Sequence, residues 1–292
     1  MTKNEAREKF REEMFDDPEA MKNFEEMAKL AKHRIIEHFG VYAIDYDSMP
    51  ITEKVYSGWL LNYLLPTEGA INGRWSYWLD IMQTQEVEGK DIPQIDFLSK
   101  LDEGYQMVSE MLETCLSPQV ARNFGMGMEI TTMFVDWLLY GFGALDELPE
   151  NLPDELNTYW YENFEGDLMI MYPADYFVDV IVTLYSGFNA NQFFATPMHI
   201  VEMMVEMEFD EHNKEKNKYE SVIDPCVGSG SMLLVASNHS LRLYGQDIDP
   251  LMTKVAKING YLYMPWTVNS NEETSALLQR MHDKYHEEED DE

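Results

Sequence analysis

Residues 221–238 read SVIDPCVGSGSMLLVASN, and residues 241–264 read LRLYGQDIDPLMTKVAKINGYLYM. A short apolar run meets a glycine turn, and a second apolar run follows at helical spacing. Then comes another short run closed by acids, and an amphipathic stretch with apolar positions three and four apart. This order predicts strand, helix, strand, helix, the βαβα start of a parallel α/β sheet. Gly228 and Gly230 fall where the first strand gives way to the first helix. Without a Cβ they can take backbone conformations closed to other residues and let the chain approach a ligand. The helix start, at about Gly230, would present free backbone N–H groups and the positive end of its dipole.

Asp247 lies 23 residues beyond Asp224 and closes the second predicted strand. A carboxylate there can accept both hydroxyl protons of a ribose. Strand, Gly-x-Gly, helix, strand and acid in that order point to a nucleoside-type cofactor. The blander alternative is a tight turn whose glycines only ease packing. A dinucleotide fingerprint would carry a third glycine where Leu233 stands. The pattern therefore favours a smaller ligand such as S-adenosylmethionine.

Working outward, TPMHIVEMMVEME at 196–208 predicts an amphipathic helix with Thr196 as N-cap and Pro197 at its first position. DEHNKEKNKYE at 210–220 reads as a charged, flexible link. Toward the N-terminus the chain reads as mostly helical. Residues 5–40 carry a helical stripe broken at Asp17-Pro18, aromatic-rich segments occupy 53–65 and 70–84, and helices are expected near 97–115, 117–142 and 151–165. The chain thus divides into a helical N-terminal domain, 1–180, a cofactor-binding domain, 185–268, and an acidic C-terminal tail, 269–292. The last seven residues, HEEEDDE, hold six acids and read as frayed.

Of the 292 residues, 45% are hydrophobic and 13% aromatic, which excludes wholesale disorder. No run of 18 apolar residues occurs and the N-terminus has no signal-peptide core, so a soluble, cytoplasmic protein without a membrane span is expected. Cys115 and Cys226 make neither a disulfide framework nor a zinc site, and no metal ligands are assigned. Lys and Arg total 21 against 54 Asp and Glu, a formal net charge of −33. The 91 residues between Arg122 and Lys214 contain no Lys or Arg and 17 acids. Such a surface repels a duplex, whose binders neutralise phosphates with basic side chains. The blander reading is that acidity only aids solubility.

DPCVGSGSMLL at 224–234 followed by YGQDIDPLMTKVAKINGYLY at 244–263 resembles motifs I and II of amino-methylating DNA methyltransferases. The likeness is to the methylation subunit of type I restriction–modification systems. Gln192-Phe193-Phe194-Ala195-Thr196-Pro197 resembles that family's motif X, whose place ahead of motif I is that of the adenine-specific subclass. The match covers about residues 189–265; the region before it matches only in being helical. The resemblance implies an N6-adenine methyltransferase using S-adenosylmethionine. It implies a fold in which the helical N-terminal region precedes a truncated Rossmann-like methyltransferase unit. Carried over, Phe194, Thr196 and Pro197 would border the methionine end of the cofactor. Asp224, Cys226, Gly228 and Gly230 would line its methionine and sulfonium side. Asp247 would hold the ribose hydroxyls, and Ile248 would pack on the adenine ring. Phe193 and Phe194 could equally be core, Cys226 reads also as a small buried turn residue, and His199 reads as structural or solvent-facing.

The family's catalytic Asn/Asp-Pro-Pro-Tyr/Phe motif is missing. It polarises the exocyclic amine of an extruded adenine and stacks on the base. This chain has twelve prolines and no two are adjacent; NLPDE at 151 and MYPADY at 171 are poor imitations. No catalytic residue is assigned, and 26 residues after Trp266 leave little room for a complete sheet. Three functions stay open. The first is a cofactor-binding, methyltransferase-like protein, inactive alone and completed by a second chain or a restriction–modification subunit. The second is an acidic, phage-type interaction protein acting as a DNA mimic or decoy. The third is a unit that binds cofactor only to stabilise itself or sense its level. DNA is a partner by resemblance and is disfavoured by charge.

Overall fold

Apolar side chains three and four apart bury one face of the longer helices that precede the glycine turn. The computed structural model describes residues 55–125, 129–177, 196–209 and 212–290. The helix expected over 5–40 lies outside the described residues, as do Phe193 and Phe194. The helical part comprises α1 (Trp59–Ile71), α2 (Arg74–Thr84), α3 (Glu103–Leu116), α4 (Pro118–Asn123), α5 (Glu129–Gly141), α6 (Asp154–Asn163) and α7 (Gly166–Met171). The single helix expected over 117–142 is instead α4 and α5. Gly125, at φ 67°, follows α4 and takes the left-handed turn that ends a helix. Inside, Phe134 stacks edge-on against Trp160 and Phe164, with ring centroids 5.1 and 5.7 Å away.

After α8 (Met198–Glu206) and α9 (Lys214–Asn217) come β1 (Ser221–Asp224), α10 (Ser231–Ala236), β2 (Arg242–Gly245), α11 (Pro250–Tyr263), α12 (Pro265–Val268) and α13 (Glu272–Asp290). The strands are parallel, with Ser221 opposite Arg242 and Asp224 opposite Gly245. Strand, helix, strand, helix therefore stand as expected. The described residues form a mixed helical protein with a small two-stranded parallel sheet, compatible with the α/β class.

Three local expectations are corrected. Pro197, not Thr196, occupies the N-cap of α8, and no side-chain hydrogen bond caps it. The link read as flexible is ordered over 212–220. Asn217, Lys218 and Tyr219 are buried, and the Lys218 ammonium pairs with Glu215 at 2.6 Å and donates to the Lys90 carbonyl at 2.9 Å. The segment read as an acidic tail is helical over Glu272–Asp290. Its acids hide an apolar stripe: Leu278 is buried, Leu277, Met281 and Tyr285 pack against the core, and Tyr285 stacks on Tyr219. Charge counting missed the helical spacing of those four residues.

One hydrophobic cluster runs from Val55 to Leu278 and joins the helical part to the βα unit. Polar ties cross the same boundary. The Trp75 indole donates to the Tyr261 carbonyl at 2.9 Å, and the Tyr263 hydroxyl donates to the Met169 carbonyl at 2.8 Å. At the centre, Arg74 is completely buried. Its guanidinium donates to the carbonyls of Pro93 and Tyr263, to Ser237 Oγ and to Asn238 Oδ1, and lies 5.4 Å over the Trp266 ring.

Gly73 has no side chain with which to cap α2, and buried Glu68 supplies the acceptor. Its Oε1 takes the backbone N–H of Arg74 at 2.7 Å and of Trp75 at 3.2 Å. Burial pushes the Glu68 carboxyl up to about 7 and draws the Arg74 guanidinium down to about 9. Because the folded pKa of Glu68 is raised, the folded state holds a proton that the unfolded chain loses above its ordinary value of 4.5. Glu68 therefore favours folding at low pH, and that contribution is lost as pH rises through about 7. Relative to Glu68→Gln, the wild-type protein is expected to lose up to about 3 kcal/mol of stability between pH 4.5 and 8. Thermal melts of both proteins across that range check it; parallel curves would show that Glu68 does not titrate there.

Candidate functional site

The carboxyl ends of β1 and β2 lie side by side, and the backbone ladder continues past both strands. Gln246 N–H donates to the Asp224 carbonyl at 3.0 Å, and Val227 N–H donates to the Gln246 carbonyl at 2.9 Å. These bonds draw the glycine turn onto the residues after β2. Ligands in open α/β sheets bind at this end of the strands. Asp247 is consequently a neighbour of the turn: its Oδ2 accepts the Gly228 N–H at 2.9 Å and its Oδ1 the Asp249 N–H at 2.9 Å. Asp249 in turn caps α11 through the Leu251 N–H at 2.8 Å. Asp224 folds back on its own turn, accepting the Cys226 N–H at 3.0 Å.

Gly228 and Gly230 have φ of 54° and 98°, the left-handed region that disfavours side chains. Gly230 is the N-cap of α10. A third glycine, Gly245, escaped the sequence reading although it lies in the quoted motif. A Cβ there would meet Val227 Cγ2 at 2.7 Å, so only glycine lets β2 pass under the turn.

Asp175 braces the turn from behind. It is buried, and its Oδ2 accepts the hydroxyls of Ser229 and Ser231. Its Oδ1 accepts the Asn259 side-chain N–H at 3.2 Å, and the same amide donates to the Ser229 carbonyl at 2.9 Å. The MYPADY segment thus serves as a support whose acid points into the protein, not toward a base. Its role was illegible because Asp175 and Ser229 lie 54 residues apart in sequence.

The outer side is open. Ile248 is 100% exposed, and Ile223 and Tyr244, partners in the strand register, are 69% and 52% exposed. Cys226 is exposed, which corrects its reading as a small buried turn residue. Thr196, Pro197 and His199 are also at the surface or near it, at the start of α8, which packs against α10. The geometry assembles Asp224, Cys226, Gly228, Gly230, Asp247 and Ile248 around one turn, with Thr196 and Pro197 on an adjoining helix. Phe194 lies outside the described residues.

Asp247 spends one acceptor position of each oxygen on the backbone. A carboxylate has about four such positions, so about two remain for the two hydroxyls of a ribose. The turn therefore fits a nucleoside without losing its own bonds. Asp175→Ala is expected to cost about 2–4 kcal/mol, since it strands two hydroxyls and an amide. Cys226→Ser, at an exposed position, should cost less than about 0.5 kcal/mol. Urea unfolding of the two variants against wild type checks the difference.

Residues 179–290 match the family model described as N-6 DNA Methylase. No curated protein and no solved structure matches the chain.

Proposed function

Taking residues 179–290 as an N-6 DNA methylase segment, we propose that this protein binds S-adenosylmethionine at the turn between β1 and α10. The observation that carries the reading is the convergence of the Gly228 turn and Asp247 at the carboxyl ends of two parallel strands. Asp247 receives the ribose hydroxyls, and Ile248, exposed on the unbound surface, covers one face of the adenine ring. Gly228 and Gly230 keep the approach free of side chains. Thr196 and Pro197 border the methionine end, with Phe194 ahead of them. This β1–α10–β2–α11 unit is the cofactor half of a Rossmann-like methyltransferase. Bound there, the cofactor supplies an electrophilic methyl group on its sulfonium.

The acceptor is the N6 amine of adenine in DNA, as the family's description supports. A group that polarises this amine and an aromatic face for the extruded base are both required. The 292 residues contain no Pro-Pro pair to frame them, and Asp175 of the nearest imitation is committed to Ser229 and Ser231. The amine-binding groups come from a second chain, as do the basic side chains that offset a net charge of −33. The chain alone is inactive.

Calorimetric titration of the full chain with S-adenosylmethionine tests the cofactor site. One-to-one binding is expected, abolished by Asp247→Ala, which removes the ribose acceptor, and by Gly228→Leu, which fills the approach. Absence of binding at roughly millimolar ligand, or binding that survives both substitutions, overturns the reading.

A further inference from the structure

On the side of the sheet away from the glycine turn, His282, His286 and Glu220 converge. One potential ligand atom from each lies within 4.8 Å of the others. The two histidines are four residues apart on α13, so the helix repeat sets both rings on one face. Their centroids are 4.3 Å apart. His282 Nε2 is 3.8 Å from Glu220 Oε2, and His286 Nε2 is 3.1 Å from Glu220 Oε1. Ligands at about 2.0–2.2 Å from a tetrahedral ion stand about 3.3–3.5 Å from each other. The observed separations straddle that value, and rotation of half-exposed side chains closes the difference.

The cluster is held in place from both sides. Glu220 sits immediately before β1, and its carbonyl accepts the Ser240 hydroxyl at 2.6 Å. α13 is seated by buried Leu278, by Tyr285 stacked on Tyr219, and by Gln279, which accepts from Arg242 at 2.6 Å. The Asp283 carboxylate lies 3.3 Å from His282 Nδ1. The Gln279 side-chain N–H donates to the same carboxylate at 2.7 Å and fixes its position. With Nδ1 beside Asp283, Nε2 of the same ring is turned toward Glu220, and a carboxylate behind the ring is the outer-shell partner common to ligating histidines. The Lys216 ammonium is 3.9 Å from Glu220 Oε1, at the outer limit of an ion pair.

We propose that Glu220, His282 and His286 form a site for a divalent transition metal, zinc in the first instance, that pins α13 to the start of β1. Two imidazoles and a carboxylate suit Zn2+ and its neighbours, whereas Mg2+ and Ca2+ prefer all-oxygen shells. Water completes the coordination. The site is separate from the cofactor turn and independent of the methylase reading. The His-x-x-x-His spacing was visible in the sequence, but Glu220, 62 residues before His282, reaches it only through the packing of α13.

The test is calorimetric titration of the tag-free, chelator-treated full chain with zinc chloride, with magnesium chloride as control. Circular dichroism verifies that each variant is folded. One-to-one zinc binding is expected at about micromolar Kd, with magnesium giving none. Glu220→Gln should weaken it at least about tenfold, and His282→Gln with His286→Gln about a hundredfold. At a roughly hundredfold excess over Kd, zinc should raise Tm by about 5 °C in wild type and not in the double variant. No saturable binding overturns the proposal, as does binding or a Tm rise that the folded double variant retains.

Discussion

The buried guanidinium of Arg74 is the constraint on which the rest of the architecture depends. Its donors go to the Pro93 loop, to Ser237 and Asn238 after α10, and to the last carbonyl of α11. Those segments belong to the helical part and to both helices of the βα unit, so one side chain sets their mutual positions. Removing it would leave several acceptors buried together without a donor, a far larger penalty than the net worth of any one bond. Asn238 reinforces the same junction, exchanging two hydrogen bonds of 2.9 Å with the backbone of Ile95. The tie is polar and directional inside an aromatic core, which gives a unique register where hydrophobic contact alone would tolerate slippage.

With the frame set, the glycine turn is over-determined. Asp247 holds it from the front through Gly228, Asp175 holds it from behind through Ser229 and Ser231, and Gly245 lets β2 run beneath it. The turn is thus held by its own hydrogen bonds, without a ligand. Preorganisation on the inner side contrasts with the outer side. There Ile223, Tyr244 and Ile248 expose apolar surface on a protein whose overall charge is strongly negative. Parallel strands are ordinarily covered on both faces. α10 packs on both strands here, and the exposed register pair Ile223 and Tyr244 lies on the alternate positions.

The two ends of this small sheet carry different chemistry. The carboxyl ends hold acids and glycines arranged around backbone N–H groups. At the amino ends α13 reaches Arg242 through Gln279, and its imidazoles meet Glu220. The helix that looks in composition like a solvated acidic tail is therefore a structural element with one apolar stripe and one histidine face.

The sequence by itself determined the βαβα unit, the two glycines with positive φ, and the pairing of a turn with an acid at the end of the next strand. Those features depend on local periodicity, on backbone conformations open to glycine, and on spacings within 23 residues. It also carried the family likeness, which rests on the same stretch. Only the tertiary structure decided the roles of Arg74, Asp175, Glu220 and Asn259, because each gains its partners across tens to more than a hundred residues of chain. It decided likewise that 212–220 and 272–290 are ordered. Lys218, Tyr219, Leu278 and Tyr285 meet a surface that exists only once the chain has folded.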